Sequence, residues 1–353
     1  MPKSKGRKAA ASKSKKRPSV QWLTFEFDAV PLHLRAEFER RSGEPQISEL
    51  HPEGGLIHQR MISVKRIIAA VVPPRTRIRL WITEDMGDTL RKVDPGRYGD
   101  GASAYSRDRG ANEAAAKTVR NDDGTFDVLI DYVRFLNFFE DSADDVAETT
   151  AILEHLAAHE PQHILMHLRQ TDSSYLQIGG ESPTANDLVP IFAEAVDEFR
   201  CELAANRIVV SGLRPDLTTE DDLEHLRSAL NESVDIMDED RVAAWLKTRT
   251  AIKEFIKSLA YLSALYVAEG TEAVPPPNVS HAWGRYVGAN WPEILALFSS
   301  IPAANEDADT DELAEAVYRG AGMVSAWMTH IGVDYRADAN GERACLWQTD
   351  SAF

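Results

Sequence analysis

Apolar and polar positions alternate in three short segments of the N-terminal half of the chain. Residues 20–27 (VQWLTFEF) and residues 77–83 (RIRLWIT) show the two-residue period that is typical of a half-buried β-strand. Residues 124–131 (GTFDVLID) combine a glycine turn with a third apolar run. The pattern therefore predicts a small sheet built from these three strands.

Two segments between these strands are less regular. Residues 61–72 form an apolar stretch that Pro73 and Pro74 must end, whether the stretch is helical or extended. Residues 84–124 contain six glycines and scattered charges, so we expect a long surface loop there.

The remainder of the chain is dominated by helical spacing. Residues 141–169, 188–210 and 240–268 repeat apolar side chains every three or four positions, as amphipathic helices do. Asn186 or Asp187 is available to cap the second of these helices. Further helices are predicted after Pro215, at residues 283–298 and at residues 312–331. The segment from Asp334 onward gives no clear pattern.

Charge divides the chain into two unequal parts. Residues 1–17 hold eight Lys or Arg and no acid. Because the whole chain has a net charge of −17, residues 18–353 carry a net charge of −25. A tail of this composition, over residues 1–18, cannot bury enough surface to fold and is predicted to be disordered. It could bind nucleic acid by releasing counterions, or it could simply aid solubility. The acidic body argues against a nucleic-acid groove elsewhere.

Composition also indicates where the protein resides and which residue types can bind a metal. The longest apolar runs are far shorter than the roughly 20 residues of a membrane span, and no apolar segment follows the basic N-terminus. We therefore expect a cytoplasmic protein without a membrane partner. Cys201 and Cys345 are too few for a disulfide framework or for an all-cysteine metal site. Any metal must rely on histidines and carboxylates.

The chemistry of the chain is concentrated in one motif, H-E-x-x-H, formed by His159, Glu160, Pro161, Gln162 and His163. On a helix, imidazoles four residues apart project from the same face and can bind one zinc ion. The glutamate beside them is the general base that removes a proton from water. Pro161 opposes this interpretation, because a proline inside a helix costs about 3 kcal/mol. The helix must kink there or begin there.

A structural interpretation of the same segment stays open. His155, His159, His163 and His167 follow one another at four-residue intervals and form a stripe along a helix. Such a stripe could be a polar helix face or a pH-sensitive interface, because histidine titrates near neutral pH.

A catalytic zinc needs a third protein ligand and an open fourth position. The helix predicted at residues 188–210 offers Glu194, Glu198, Glu202 and Asn206, which share one face at four-residue spacing. An ordinary solvated acidic face would show the same pattern.

Residues 202–206 (ELAAN) resemble the E-x-x-A-N element of the ImmA/IrrE family of metallopeptidases, which are gluzincin-type zincins. The resemblance implies that the zinc ligands are His159, His163 and Glu202, with Glu160 as the catalytic residue. Glu198, one turn earlier, is the substitute for the third ligand.

The resemblance covers about residues 125–215 and implies an α+β fold. We expect a zincin-like metallopeptidase domain over residues 19–215, with a small sheet and active-site helices. A mainly α-helical domain would then occupy residues 216–353. Tyr175, His225 and Tyr261 are candidates for stabilising an oxyanion, although each could be purely structural. The expected core anchors of the helical region are Trp245, Trp283, Trp291 and Trp327.

Two functions of different class follow from these patterns. The first is a zinc-dependent peptidase that hydrolyses a protein or peptide substrate. The second is a non-catalytic helical binding protein in which the histidine stripe is structural and the basic tail binds nucleic acid. Metal content distinguishes them, because only the first requires Zn²⁺.

Overall fold

A computed structural model describes the part of the chain that carries the fold and the candidate site. The described residues are 23–28, 30, 52–99, 108–109, 112–113, 115–135, 143–209, 215–271, 280–340 and 342–347. The predicted basic tail lies outside them. The predicted α+β class is confirmed, since the described residues contain a small mixed sheet and many helices.

The secondary structure follows the chain in a simple order, with most strands before most helices. The strands are β1 (Leu23–Asp28), β2 (Ile78–Thr83), β3 (Asp108–Arg109), β4 (Asn112–Glu113), β5 (Ala116–Arg120), β6 (Phe126–Asp131), β7 (Val333–Ala337) and β8 (Arg343–Trp347). The helices are α1 (Pro52–Val71), α2 (Met86–Val93), α3 (Pro95–Tyr98), α4 (Ala143–Arg169), α5 (Pro183–Ile208), α6 (Pro215–Ile236), α7 (Arg241–Glu269), α8 (His281–Tyr286), α9 (Trp291–Ser299) and α10 (Thr310–His330).

The main sheet has the strand order β1-β2-β6-β5. Strands β1, β2 and β6 are parallel, and they are the three strands that the alternating pattern predicted. Strand β5 is antiparallel to β6 and lies at the edge of the sheet, where Thr118 pairs with Val128.

The predicted long loop at residues 84–124 is wrong in part. Helices α2 and α3 and the edge strand β5 lie within it. Asp85 caps α2 by accepting a hydrogen bond from the backbone of Asp88, and Asp94 caps α3 in the same way. In β5 the only buried side chain is Val119, so the strand has almost no apolar signal of its own.

Helices α1 and α4 cover one face of the sheet. Their buried side chains, with those of β1, β2 and β6, form a hydrophobic core that includes Val64, Ile68, Leu80 and Leu153. The helices are also linked by Arg60, whose Nε donates to Thr150 Oγ1 at 3.2 Å. The sheet therefore fixes the position of α4, the helix that carries the H-E-x-x-H motif.

Helix α4 continues through Pro161 without ending there. The proline removes one backbone hydrogen bond, but the burial of both faces of this 27-residue helix outweighs that loss. His159 and His163 therefore share one helix, as the motif requires.

The largest core joins α5 to the helices that follow it. Phe192 and Phe199 of α5 both pack on Phe298 of α9, with ring centroids 5.3 and 4.9 Å apart. Three of the four predicted tryptophan anchors, Trp283, Trp291 and Trp327, are buried in this core. The fourth, Trp245, is half-buried and stacks on Tyr335. Helices on both sides of residue 215 thus share one core, and the predicted domain division there stays a prediction.

Several element boundaries differ from the predicted ones. Helix α5 begins at Pro183 and is capped by Ser182, whose side chain accepts from the backbone of Ala185. The predicted caps Asn186 and Asp187 lie inside the helix. The predicted helix at residues 283–298 is two helices, α8 and α9. The unassigned C-terminal segment forms the antiparallel hairpin β7–β8.

Among the described residues, no helix combines the length and the hydropathy that crossing a bilayer would require.

Candidate metal site

Helices α4 and α5 lie side by side and present polar side chains to each other. Histidines of α4 at four-residue spacing meet glutamates of α5 at the same spacing, because side chains four residues apart share a helix face. The two motif rings, His159 and His163, have centroids 5.3 Å apart. The structure thus brings together the two histidines that the sequence singled out.

His159 is the centre of this arrangement, which we call the His–Glu ladder. Its Nδ1 lies 2.9 Å from Glu202 Oε2, and its Nε2 lies 3.2 Å from Glu198 Oε2. Above and below, His155 Nε2 lies 2.9 Å from the same Glu202 oxygen, and His163 Nε2 lies 3.9 Å from Glu198 Oε2. Three imidazoles and two carboxylates therefore alternate in space.

The ladder is buried, and burial together with the alternation controls its electrostatics. Burial disfavours protonation of His159, but the hydrogen bonds with Glu198 and Glu202 outweigh it and raise the His159 pKa well above its ordinary value. Burial would raise both carboxyl pKa values, yet the histidines lower the Glu198 pKa well below its usual range and the Glu202 pKa to about 2. Burial lowers the pKa of His163. These shifts all favour a charged imidazole between two ionised carboxylates.

The two glutamates differ in the ring nitrogens that they face. Glu198 faces the Nε2 atoms of both motif histidines, whereas Glu202 faces Nδ1 of His159 and Nε2 of His155. Glu202, the third ligand that the family resemblance implies, is therefore on the far side of the His159 ring from His163. Glu198 is the carboxylate that approaches both His159 and His163, at 3.2 and 3.9 Å.

Among the described residues, two groups of side chains could hold a metal ion, because their donor atoms all lie within 4.8 Å of one another. One group is His155, His159 and Glu202, and the other is His159, His163 and Cys201. Cys201 is a candidate ligand that the sequence analysis missed. Its signal was available, because it lies three residues after Glu198 on the same helix.

The general base predicted by the motif, Glu160, is held at the edge of the sheet. Thr118 Oγ1 of β5 donates to Glu160 Oε2 at 2.7 Å and also lies 3.0 Å from the Glu160 backbone carbonyl. The charge of Glu160 acts on both His163 and Cys201. The carboxylate is thus fixed between the edge strand and the candidate ligands.

Of the three candidates for an oxyanion-stabilising group, Tyr261 contacts the ladder. Its hydroxyl donates to Glu198 Oε2 at 2.9 Å, and its ring centroid lies 6.3 Å from that of His159. Burial and the charges of Glu198 and Glu202 raise the Tyr261 pKa well above its usual value. Tyr261 belongs to α7, so the C-terminal helices take part in the site.

The other two candidates have different neighbours. Tyr175 is hydrogen-bonded to His167 Nε2 at 2.9 Å, while His167 Nδ1 lies 3.0 Å from Asp172. His167 is therefore the one member of the predicted histidine stripe whose described partners lie outside the ladder. His225 lies on α6, where Glu232 is a charged neighbour.

The donor set fits a zinc ion. Imidazole nitrogen, carboxylate oxygen and thiolate sulfur are its usual protein ligands. With metal–ligand bonds of about 2.0–2.1 Å, tetrahedral donors lie about 3.3 Å apart. Glu198 Oε2 lies 3.2 and 3.9 Å from the two motif Nε2 atoms, which is close to that separation.

Comparisons with models of protein families, with curated protein sequences and with solved structures found no significant match.

Proposed function

We propose that this protein is a zinc-dependent peptidase whose metal is held by His159, His163 and Glu198. The observation that carries the proposal is the approach of one Glu198 oxygen to the Nε2 atoms of both motif histidines, at 3.2 and 3.9 Å. These three residues come from two packed helices, α4 and α5, and the sheet fixes the position of α4. The expected likeness to zincins of the ImmA/IrrE type is part of this proposal.

In this proposal Glu202 orients a ligand instead of binding the metal. Its carboxylate accepts from Nδ1 of His159, which leaves Nε2 of that ring directed toward Glu198 and His163. Metal-binding histidines commonly have such a carboxylate on the second nitrogen, where it fixes the tautomer and the ring orientation. Asn206 in turn donates to Glu202 at 3.4 Å.

Glu160 is the proposed general base. A bound zinc ion would polarise the scissile carbonyl and make a nearby water molecule more acidic. Glu160 would accept the proton of that water and return it to the leaving amine. Thr118 holds one oxygen of the Glu160 carboxylate, so the base keeps its orientation.

A peptide is the substrate class that the edge of the sheet supports. Strand β5 is bonded to β6 on one side and has no second strand neighbour in the described part of the chain. An extended peptide could bind along such an edge by adding a strand. Thr118 lies on this strand and also contacts Glu160, so a peptide bound there would pass next to the proposed base.

The test combines metal content with hydrolysis of fluorescein-labelled casein by the full-length protein. We expect about one zinc per chain by mass spectrometry in the wild type and its loss in His163→Ala. Glu160→Gln should retain zinc and lose hydrolysis, because the amide cannot accept the proton.

His167→Ala is the matched control, because His167 lies one turn after His163 on α4 but contacts Asp172 and Tyr175 instead of the ladder. It should keep its zinc. A stable wild-type protein without metal would favour the second function, in which the His–Glu ladder only joins two helices.

A further inference from the structure

Cys201 lies among the proposed ligands and has no part in the function proposed so far. It is fully buried on α5, three residues after Glu198 and one before Glu202. Its Sγ and one ring nitrogen each of His159 and His163 lie within 4.8 Å of one another. It is therefore not an isolated cysteine, because two nitrogen donors for the same ion are its neighbours.

Glu198 and Cys201 reach the motif histidines from the same helix. A separation of three residues places their side chains on one face of α5, the face that packs on α4. Glu198 contributes an oxygen and Cys201 a sulfur, while His159 and His163 contribute nitrogens. Helix α5 thus offers both an oxygen and a sulfur donor to the same two histidines.

We infer that the Cys201 thiolate is the fourth ligand of the metal and that the protein rests in a latent, four-coordinate state. The inference rests on the proposed function and adds a form of regulation to it. A site with four protein ligands is of the closed, structural type, whereas a catalytic site keeps one position for water. Hydrolysis therefore requires the sulfur to leave the metal.

Coordination by Cys201 is a simple exchange of a proton for a metal bond. The S–H bond breaks, the proton goes to solvent, and the sulfur lone pair binds the ion. The reverse step restores the neutral thiol and opens the fourth position. A ligand that competes with the thiolate for the metal would drive it.

Burial also determines how the position can open. Cys201 lies between α4 and α5 with no exposed surface, so the sulfur can move away from the metal only by rotating within the helix interface. Such a rotation would change neither helix, and Glu202 would keep its contact with Nδ1 of His159. The open and the closed states would therefore share one fold.

The test is X-ray absorption at the zinc edge on full-length protein loaded with one equivalent of zinc. We expect the wild type to show one sulfur at about 2.3 Å among nitrogen and oxygen ligands. Cys201→Ala should retain zinc, lose the sulfur scatterer and hydrolyse labelled casein faster per bound zinc than the wild type does. Cys345→Ala is the matched control, because Cys345 lies on β8, and it should keep both the sulfur and the wild-type rate.

The wild-type and Cys345→Ala spectra together decide the inference, and neither depends on how well the Cys201→Ala variant folds. Zinc bound only by nitrogen and oxygen would overturn the role of Cys201 and leave the proposed peptidase intact. A wild-type protein that binds no zinc would overturn both. A sulfur signal that disappears in Cys345→Ala instead would also refute the assignment to Cys201.

Discussion

Glu198 and Glu202 lie one helical turn apart on α5, yet they face opposite nitrogens of the same imidazole. Glu202 approaches Nδ1 of His159, and Glu198 approaches Nε2. Because the ring is flat and its nitrogens point in different directions, the two carboxylates cannot share one metal ion with the same nitrogen of His159, and in the proposed site Glu198 is the ligand while Glu202 orients the ring. The proposed site therefore gives two residues of the same type two different roles.

The difference in role predicts a difference in zinc affinity between two isosteric variants. Glu198→Gln removes the charged oxygen donor and should weaken zinc binding by about 100-fold or more. Glu202→Gln leaves the three proposed ligands in place and should cost about 10- to 100-fold, the range for residues that orient a ligand. Competition with a chromophoric chelator measures both affinities. A larger loss in Glu202→Gln than in Glu198→Gln would return the third ligand to Glu202.

At the residue scale, spacing could predict which side chains share a helix face but not which atoms meet. The four-residue intervals correctly gave the histidines of α4 and the glutamates of α5. The choice between Glu198 and Glu202 depends on how far α4 and α5 slide along each other, and no local pattern encodes that offset. The same holds for Asp187, which was expected to cap α5 and instead bonds Arg343 of β8.

At the scale of elements, the packing of α5 against α10 depends on one glycine. A Cβ added at Gly320 of α10 would overlap the ring of Phe192 of α5, which is itself buried. The two helices approach closely because that position has no side chain. This contact is one of those that attach the C-terminal helices to the helix carrying Glu198.

Gly320→Ala should therefore destabilise the protein by about 1–3 kcal/mol, the usual cost of overpacking a core. Gly322→Ala, two residues away on the same helix, is its control, since an added Cβ there meets nothing within 4 Å. The control should gain about 0.5–1 kcal/mol, because alanine is the better helix former. Urea unfolding of both variants measures the difference. If the two variants were equally stable, α5 and α10 would not depend on a close approach at residue 320.

How well an element could be predicted depended on how much apolar surface it buries. Strands β2 and β6 were found because their buried residues alternate or run together, and every residue of β6 is buried. Strand β1 buries only Leu23 fully, but its large apolar side chains Leu23, Phe25 and Phe27 alternate and pack against the core. The edge strand β5 was missed because only Val119 is buried in it. The hairpin β7–β8 was missed because its alternation is too short to be recognised. In β7 only Val333 and Tyr335 are buried, and they alternate with more exposed residues.

At the scale of the whole molecule, the candidate site lies where two hydrophobic cores meet. One core consists of the sheet with α1 and α4, and the other joins α5 to the C-terminal helices. The α4 histidines lie on the first core and the α5 glutamates on the second. The sequence located α4, α5 and most of the C-terminal helices but left residues 61–72, which belong to α1, undecided between helix and strand. The assignment of the helices to the two cores needed long-range contacts that periodicity does not contain.

The shared core makes a prediction about the division that the sequence suggested at residue 215. A fragment ending at residue 215 would expose Phe192 and Phe199, and each such side chain loses roughly 1.5–3 kcal/mol of burial. It would also lack Tyr261, which donates to Glu198. We therefore expect no cooperative thermal unfolding by circular dichroism and no retained zinc, whereas the full-length chain should show both. A fragment that unfolds cooperatively and holds one zinc per chain would instead establish an independent domain before residue 216, and the C-terminal helices would then be dispensable for the metal.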